Sequence, residues 1–267
     1  MLEKLRSQAK QIIPASVRSR LKTIQNKIKY PYITTLGDEP FAGSRFEISG
    51  PTEEFRILHY GDERQFSQMI LDAIEPRDVF FDIGSCVGIL AIPASLHQAQ
   101  VFGFEPDPMY RQRIQRNIEL NDIKSGIQIL DWAVSDQSGT AKLYTDGIEG
   151  LSASLQAAGG RGYVQVETNS IDQAIASNIL PPPDIIKLDI EGAEILALRG
   201  MRNLLHSHDA PRMIFCEFHQ SFLAEFDATE EDCIQILLDA GYERTYWEPR
   251  NDQSHGVFAK NIHETTE

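Results

Sequence analysis

Two acidic side chains flank a short glycine-containing segment in the first half of the chain. Asp82 begins the run Asp-Ile-Gly-Ser-Cys-Val-Gly, which contains Gly84 and Gly88, and Glu105 ends an apolar run about 20 residues later. A glycine turn adopts backbone conformations that other residues avoid and lets a ligand approach the main chain. An acid at the end of the following strand can accept hydrogen bonds from two ribose hydroxyls. The pattern predicts a nucleotide-type binding site.

The spacing around these glycines favours a cationic ligand over a dinucleotide. Cys86 occupies the place of the middle glycine in the G-x-G-x-x-G fingerprint, whose helix faces a pyrophosphate. Asp82 would repel a pyrophosphate, whereas it would attract the ammonium and sulfonium groups of S-adenosylmethionine. We therefore expect S-adenosylmethionine as the cofactor. The alternative is an ordinary α/β sheet that happens to contain a glycine turn.

A second group of polar side chains follows two apolar runs in the second half of the chain. Ile185 to Leu188 predicts a buried strand whose end delivers Lys187, Asp189 and Glu191, and the strand at 212–218 ends in Glu-Phe-His. Alternation along this strand places Glu217 and His219 on one face. Ligands of open α/β sheets bind beyond the carboxyl ends of the strands. We expect both groups to line one cleft.

The elements around the first segment form a βαβ unit. Val79–Phe81 and Val101–Phe104 predict parallel strands with a short helix between them. Asp107 followed by a proline is typical of a helix start, and Ile127–Leu130 predicts the third strand. The end of that strand would bring Asp131 and Trp132 near the adenine of the cofactor. The alternative for Asp131 is that it is an ordinary turn residue.

Residues outside this unit predict a flanking helix, a long loop and a closing hairpin. The apolar face of 66–73 predicts a helix beside the cleft, and the glycine-rich 145–162 segment predicts a loop that selects the acceptor together with Trp247. Residues 30–43 are typical of a linker, and alternation on both sides of Gly50 suggests a hairpin. The last two runs, 242–247 and 256–260, predict an antiparallel hairpin.

Charge separates the first 30 residues from the rest. They carry +7, whereas the whole 267-residue chain carries −14, so the remainder carries −21. An acidic body argues against general nucleic-acid binding. The basic amphipathic arm favours docking on the acidic body or on a second copy over contact with an anionic membrane. We expect residues 1–43 to be this arm with its linker, 44–260 one catalytic domain and 261–267 a tail.

Several motifs together resemble the FkbM-type S-adenosylmethionine-dependent methyltransferases. They include Asp-Ile-Gly-Ser-Cys-Val-Gly, Gly-Phe-Glu-Pro-Asp-Pro and, as the most specific piece, Lys-Leu-Asp-Ile-Glu-Gly-Ala-Glu followed by Leu-Arg-Gly. The resemblance covers about 46–260, although the family commonly has Gly-Ala-Asn where this chain has Gly-Ser-Cys at 84–86. It implies a Rossmann-like class I α/β fold with a mostly parallel seven-stranded sheet whose last strand is antiparallel. It also implies O-methylation of a sugar, glycan or natural-product hydroxyl.

Specific roles follow for both groups of side chains. His219 is the first candidate for the base, because its ordinary pKa lies near neutrality, and the alternative is a structural histidine. Asp189 and Glu217 would hold substrate hydroxyls or this histidine, Glu191 would contact substrate, and Lys187 would steady a carboxylate or offset negative charge. A cation on Asp189, Glu217 and His219 is the less favoured alternative, so no metal is expected. The expected cofactor contacts are Asp82, Gly84, Ser85, Cys86, Gly88, Glu105, Pro106, Asp131 and Trp132.

Composition sets further expectations. Three scattered cysteines indicate a reducing compartment rather than disulfides or zinc, and no signal peptide or membrane-spanning run is evident. We expect a cytoplasmic protein, with peripheral membrane contact or self-association through the arm as options. Two other functions stay open at this point, namely an NAD-dependent oxidoreductase and a non-catalytic scaffold that uses the arm.

Overall fold

A computed structural model describes residues 26, 28–58, 63–145, 155 and 162–260. Residues 1–25 and 27 of the predicted arm, most of the glycine-rich loop and the tail at 261–267 lie outside the described residues. The described strands are β1 (Tyr32–Thr35), β2 (Arg45–Ile48), β3 (Val79–Ile83), β4 (Gln100–Phe104), β5 (Ile127–Leu130), β6 (Ala133–Val134), β7 (Gly139–Thr145), β8 (Gly162–Asn169), β9 (Ile185–Leu188), β10 (Met213–His219), β11 (Tyr242–Arg250) and β12 (Gln253–Lys260). The described helices are α1 (Pro51–Leu58), α2 (Arg64–Ala73), α3 (Ala91–Leu96), α4 (Pro108–Leu120), α5 (Ile171–Ala176), α6 (Glu194–Gly200), α7 (Arg202–Leu205), α8 (Gln220–Leu223) and α9 (Glu230–Asp239).

Seven strands form one sheet in the order β11-β12-β10-β9-β3-β4-β5. The five strands from β10 to β5 are parallel, whereas β12 runs antiparallel to both of its neighbours. The order steps outward from β3 in both directions, so the carboxyl ends of β3 and β9 lie side by side at the point where the order reverses. The predicted mostly parallel sheet with an antiparallel last strand is confirmed.

The central strands are apolar because helices cover both faces of the sheet. All four residues of β9 are buried, and alternate residues contribute to two separate clusters. Ile186 packs with residues of α5, α6 and α9 on one face, and Ile185 packs with residues of α2, α3 and α4 on the other. The result is a three-layer arrangement that leaves the carboxyl edge of the sheet accessible.

Side-chain caps begin the helices at the predicted residues. Asp107 accepts a hydrogen bond from the Met109 amide at the start of α4, and Ser170 accepts one from the Gln173 amide at the start of α5. Such caps satisfy amide groups that have no partner inside the helix. The flanking helix α2, the short α3 and the closing β11–β12 hairpin are also confirmed.

The region before β3 differs from the sequence prediction. Tyr32–Thr35 pairs with Arg45–Ile48, so the linker interpretation is wrong for β1, and the folded body begins before residue 44. The expected hairpin around Gly50 is also wrong, because the residues after it form α1. The alternation there was fortuitous. Arg113 pairs with Glu47 and Glu53 and ties α4 to this region.

A second, three-stranded sheet has the strand order β6-β8-β7. Its strands β7 and β8 form the antiparallel flanks predicted for the glycine-rich loop. Among the described helices, none has the length and apolar character needed to cross a membrane.

Candidate functional site

A cavity of about 760 Å³ opens at the carboxyl edge of the sheet. Its wall includes the ends of β3, β4, β9 and β10, so it brings both predicted groups together. We name two parts of it. The loop end comprises residues 82–87 with 104–106, and the acid–histidine cluster comprises Asp189, Glu191, Glu217 and His219.

Glu105 organises the loop end through main-chain hydrogen bonds. Its Oε2 accepts from the amide of Cys86 at 2.8 Å, and its Oε1 accepts from the amide of Asp107 at 2.9 Å. Burial raises the pKa of Glu105 to about 7, although both amide hydrogen bonds oppose that shift. The carboxylate is therefore oriented by backbone groups and lies in the cavity wall at the predicted place.

Asp82 lies beneath the loop as a nearly isolated carboxylate. It is 1% exposed, and within the described part of the chain neither of its oxygens has a hydrogen-bond partner. The Lys187 ammonium lies 3.5 Å from Oδ1 of Asp82. Burial raises the pKa of Asp82, and the attraction of Lys187 opposes this. Such a carboxylate suits a cationic ligand.

Lys187 joins the loop end to the cluster. Its buried Nζ lies 3.2 Å from Asp189 Oδ2 and donates to the carbonyls of Ile83 and Gly84 at 3.3 and 2.8 Å. The expectation that this lysine steadies a carboxylate agrees with these contacts. Because its ammonium already serves two carboxylates and two carbonyls, it positions the surrounding chain.

The glycines act differently from the sequence interpretation. A Cβ on Gly84 would collide with the carbonyl oxygen of Asp189, and one on Gly88 would lie 2.8 Å from the Ile114 side chain. Both residues also have φ near +85°. The glycines are thus required by close chain packing and by backbone conformation rather than by ligand approach. Gly84 lines the cavity, whereas Gly88 does not.

The acid–histidine cluster surrounds one imidazole nitrogen. His219 is 3% exposed, and its Nε2 lies 3.5 Å from Glu191 Oε2, 3.8 Å from Glu217 Oε1 and 3.9 Å from Asp189 Oδ1. Glu217 Oε2 also lies 3.4 Å from Nε2 of His255, which stacks on Phe66. Side chains from β10, β12 and the turn after β9 therefore meet at a single point.

Glu194 is the site residue that sequence reasoning missed. An acid in the first turn of a helix is ordinarily explained by the helix dipole, but the Glu194 side chain is fully buried and its Oε1 lies 3.0 Å from Nδ1 of His219. The same oxygen accepts from the amide of Gly192 at 3.0 Å. Glu194 thus fixes the ring of His219 and the turn that carries Glu191. An acid so close to the predicted Asp189 was the only sequence clue.

The carboxylates around His219 change its ionisation. Burial alone would lower the pKa of the imidazole, but the hydrogen bond to Glu194 and the charges of Glu194, Glu191 and Asp189 raise it to about 10. A ring that carries its proton at neutral pH cannot accept another. The base role of His219 stays a prediction, which this arrangement does not favour.

Besides Gly88, three predicted residues lie away from the cavity wall. Asp131 is exposed, and Trp132 packs edge-on against Phe104 with ring centroids 5.0 Å apart. Trp247, expected to contact substrate, packs against Phe218 and beneath the guanidinium of Arg244. Alternation along β11 directs Trp247 to the helix-covered face, which explains why it does not reach the cavity.

Two arginines in the cavity wall were not anticipated. Arg56 on α1 donates to the Cys86 sulfur at 3.1 Å, and Arg250 lies at the end of β11. Arg56 could not be selected from the sequence, because its segment was interpreted as a strand. Together with the carboxylates they supply charged groups of the cavity wall, while Phe66, Ile70 and Phe222 supply apolar ones.

Comparisons with known proteins agree with this architecture. The methyltransferase FkbM domain matches residues 82–244, more than half of the chain. The hexuronic acid methyltransferase AglP of Haloferax volcanii is 31% identical over 165 residues, covering 61% of this chain and 66% of AglP. Methyltransferase sdnD of Sordaria araneosa is 26% identical over 152 residues, covering 45% of this chain and 59% of sdnD. The chain therefore spans less than two thirds of either relative.

Solved structures with similar folds are more distant in sequence. Magnesium protoporphyrin IX methyltransferase (ChlM) from Synechocystis PCC 6803 with bound SAH has a TM-score of 0.48 and 13% identity, covering 78% of this chain and 86% of that one. The putative methyltransferase yhhF from Escherichia coli has a TM-score of 0.46 and 10% identity, covering 86% and 98%.

Proposed function

Because the chain belongs to the FkbM methyltransferase family, we propose that it transfers a methyl group from S-adenosylmethionine to a hydroxyl of a sugar, glycan or natural product. The observation that carries the proposal is the single cavity that joins the loop end to the acid–histidine cluster. One part suits a cationic nucleoside, and the other suits a polyhydroxylated acceptor. Family membership disfavours the NAD-dependent oxidoreductase considered from the sequence.

The loop end fits the proposed cofactor on the chemistry of its donors and acceptors. Asp82 has two buried carboxylate oxygens without hydrogen-bond partners among the described residues, and these suit the cofactor's ammonium group. Glu105 presents an oriented carboxylate to which two ribose hydroxyls can donate. When bound, S-adenosylmethionine supplies an electrophilic methyl group on a positively charged sulfur.

The acid–histidine cluster would hold the acceptor. Asp189, Glu191 and Glu217 can accept hydrogen bonds from acceptor hydroxyls, which fixes the attacking oxygen in line with the methyl group. The acceptor oxygen would take the methyl group that the bound cofactor supplies, with the sulfur as leaving group, and its hydroxyl proton would pass to a carboxylate of the cluster or to solvent. Lys187 keeps Asp189 in place and offsets its charge.

A sugar acid is the acceptor class best supported. The relative AglP is named for methylation of hexuronic acid, and it aligns over 61% of this chain. The cavity wall here contains the guanidinium groups of Arg56 and Arg250, which suit a carboxylate. The carboxylates of the cluster suit neighbouring hydroxyls.

The test is transfer of a tritiated methyl group from S-adenosylmethionine to hexuronic acids, neutral sugars and polyketide alcohols. We expect transfer to at least one hydroxylated acceptor, with uronic acids preferred over their neutral counterparts. Calorimetry in parallel should detect S-adenosylhomocysteine binding and no NAD binding. Binding of NAD alone, or partner binding through the basic arm with no transfer to any acceptor, would overturn the proposal.

A further inference from the structure

We propose that Asp189, Glu191 and His219 bind a divalent cation of the manganese type, to which the acceptor hydroxyl coordinates. The inference deepens the proposed function and rests on it, since it assigns a ligand to the acceptor part of the same cavity. It differs from the sequence expectation, which favoured no metal and considered Glu217 in place of Glu191.

The separations between the imidazole and the two carboxylates match a coordination sphere. Each residue offers one ligand atom, and the three atoms lie within 4.8 Å of one another. The Nε2 of His219 lies 3.5 Å from Glu191 Oε2 and 3.9 Å from Asp189 Oδ1, which is longer than a good hydrogen bond. Ligands placed about 2.1 Å from a common cation lie roughly 3 to 4.2 Å apart. The described geometry therefore leaves space for an ion between them.

His219 is held as a ligand would be. The side chain is 97% buried, since 3% of it is exposed, and Nε2 faces the carboxylates of Glu191 and Asp189 at 3.5 and 3.9 Å. On the other side of the ring, Nδ1 lies 3.0 Å from Glu194 Oε1. A carboxylate behind a histidine is the arrangement that orients metal-bound imidazoles in many proteins. This buried nitrogen is an observation independent of the acidic residues.

The turn that carries Glu191 is fixed by the same carboxylate. Glu191 has φ of +54°, a conformation that non-glycine residues rarely adopt, and Gly192 follows with φ of +99°. Glu194 Oε1 accepts from the Gly192 amide, so the group that orients His219 also fixes the turn. Backbone strain of this kind persists where the surrounding structure enforces it.

Charge favours a dication at this point. Asp189, Glu191 and Glu217 all direct an oxygen to within 3.9 Å of Nε2, and buried Glu194 lies behind the ring. Lys187 lies against Asp189 on the side of the loop end. Mutual repulsion of so many carboxylates is offset more fully by a divalent ion than by one imidazole. Glu217 would assist from outside the coordination sphere, because its other oxygen faces His255.

The ligand set indicates the kind of ion and its use. Two carboxylates and one imidazole combine hard oxygen ligands with a nitrogen ligand, which suits manganese and similar divalent ions. Three protein ligands leave positions open for two neighbouring oxygens of a sugar. A cation bound to the acceptor oxygen lowers the pKa of that hydroxyl and stabilises the developing alkoxide.

The experiment measures Mn²⁺ binding directly by electron paramagnetic resonance and calorimetry. The full-length protein is treated with a chelator, dialysed, and titrated with Mn²⁺ in the absence of cofactor and acceptor. We expect one bound ion per chain, with His219→Gln and Asp189→Asn each weakening binding at least 10-fold. Glu194→Gln, which alters the support of the imidazole and of the turn that carries Glu191, should weaken it by roughly 10- to 100-fold.

A surface pair supplies the matched control. His208 Nε2 lies 3.2 Å from Asp209 Oδ1, and their side chains are 91% and 50% exposed. The same two substitutions there, His208→Gln and Asp209→Asn, should leave Mn²⁺ affinity unchanged. Circular dichroism verifies that every variant is folded. No Mn²⁺ binding by the folded wild type, or equal affinity in the cluster and control variants, would overturn the inference.

Methyl transfer separates this inference from the proposed function. If chelator-treated protein transfers methyl groups at the full rate, and added Mn²⁺ does not change that rate, the cation site would be overturned and the methyltransferase assignment would stay intact. Mn²⁺ binding that depends on the cluster, with no transfer to any acceptor, would support the site and contradict the assignment. Loss of transfer on chelation, with recovery on adding Mn²⁺, is the expected result.

Discussion

The loop end and the acid–histidine cluster share a cavity but are built in different ways. The loop end comes from one continuous stretch, and its key carboxylate, Glu105, is oriented by main-chain amides. The cluster is assembled from the ends of β9, β10 and a turn, and its members contact each other through charged side chains. A site fixed by the main chain suits an unchanging cofactor, whereas one built from side chains can differ between acceptors.

The sharpest test of this division is His219→Gln. We expect methyl transfer to fall by roughly 10²-fold or more, because the substitution removes the group on which the cluster converges. Affinity for S-adenosylhomocysteine should change less than about twofold, since the loop end does not contact this ring. An equal loss of both properties would show that the two parts of the cavity act as one.

Glu105→Gln is the corresponding test of the loop end, and it should affect cofactor binding rather than the acid–histidine cluster. Loss of charge-assisted hydrogen bonds from ribose should weaken S-adenosylhomocysteine binding by roughly 10- to 100-fold. Mn²⁺ affinity should stay unchanged, because the cluster lies at the ends of other strands. Calorimetry with each ligand measures both, and undiminished affinity for the nucleoside would remove Glu105 from the cofactor site.

The pH dependence of cofactor binding gives a smaller effect that also belongs to the loop end. Burial raises the pKa of Glu105 to about 7 in the free protein, and ribose hydroxyls donate to the ionised form. Affinity for S-adenosylhomocysteine should therefore fall as pH decreases below 7, by up to about tenfold per unit. Glu105→Gln should remove this slope. A slope that persists in the variant would assign the titration to another group.

The raised pKa of Glu105 has the opposite effect on folding stability, which should decrease rather than increase as pH rises. The folded-state pKa of Glu105 lies above its unfolded value of 4.5, so its favourable contribution is present at low pH and is lost as pH rises through 7. The free protein should show this trend in its thermal unfolding, and Glu105→Gln should reduce it. Between pH 6 and 8, the thermal stability of the complex with S-adenosylhomocysteine should depend less on pH than that of the free protein.

The smallest effect is expected for a substitution that belongs to neither part. Ser170→Ala removes the cap of α5, where Ser170 Oγ accepts from the Gln173 amide at 3.2 Å. The free energy of unfolding should fall by about 1 kcal/mol, with both ligand affinities unchanged. Denaturant titration measures this. A change in either affinity would mean that general stability, rather than local geometry, governs the cavity.

The two parts of the cavity also differed in how far sequence could predict them. Asp82, Gly84 and Glu105 were predictable because their spacing within one βαβ unit fixes where they lie. Glu194 was not, because its role depends on His219, which strand order brings beside it from 25 residues away. Trp247 lies outside the cavity wall, and the sequence could not indicate this because alternation gives the face of a strand only when its register is known.

The remaining errors of fold have similar physical causes. Tyr32–Thr35 contains too few apolar residues to indicate a strand alone, and it forms one by pairing with Arg45–Ile48. Phe55 and its neighbours alternate like a strand but follow a proline that begins α1. By contrast, the long apolar runs of the central sheet were identified correctly, because burial on both faces leaves a strong pattern.

A crystal structure of the protein with S-adenosylhomocysteine tests the central claim most directly. The account predicts both ribose hydroxyls within hydrogen-bond distance of the Glu105 carboxylate, the amino group near Asp82, and the sulfur directed toward the acid–histidine cluster. A nucleoside bound with its ribose away from Glu105, or with its sulfur directed away from Asp189 and His219, would contradict it.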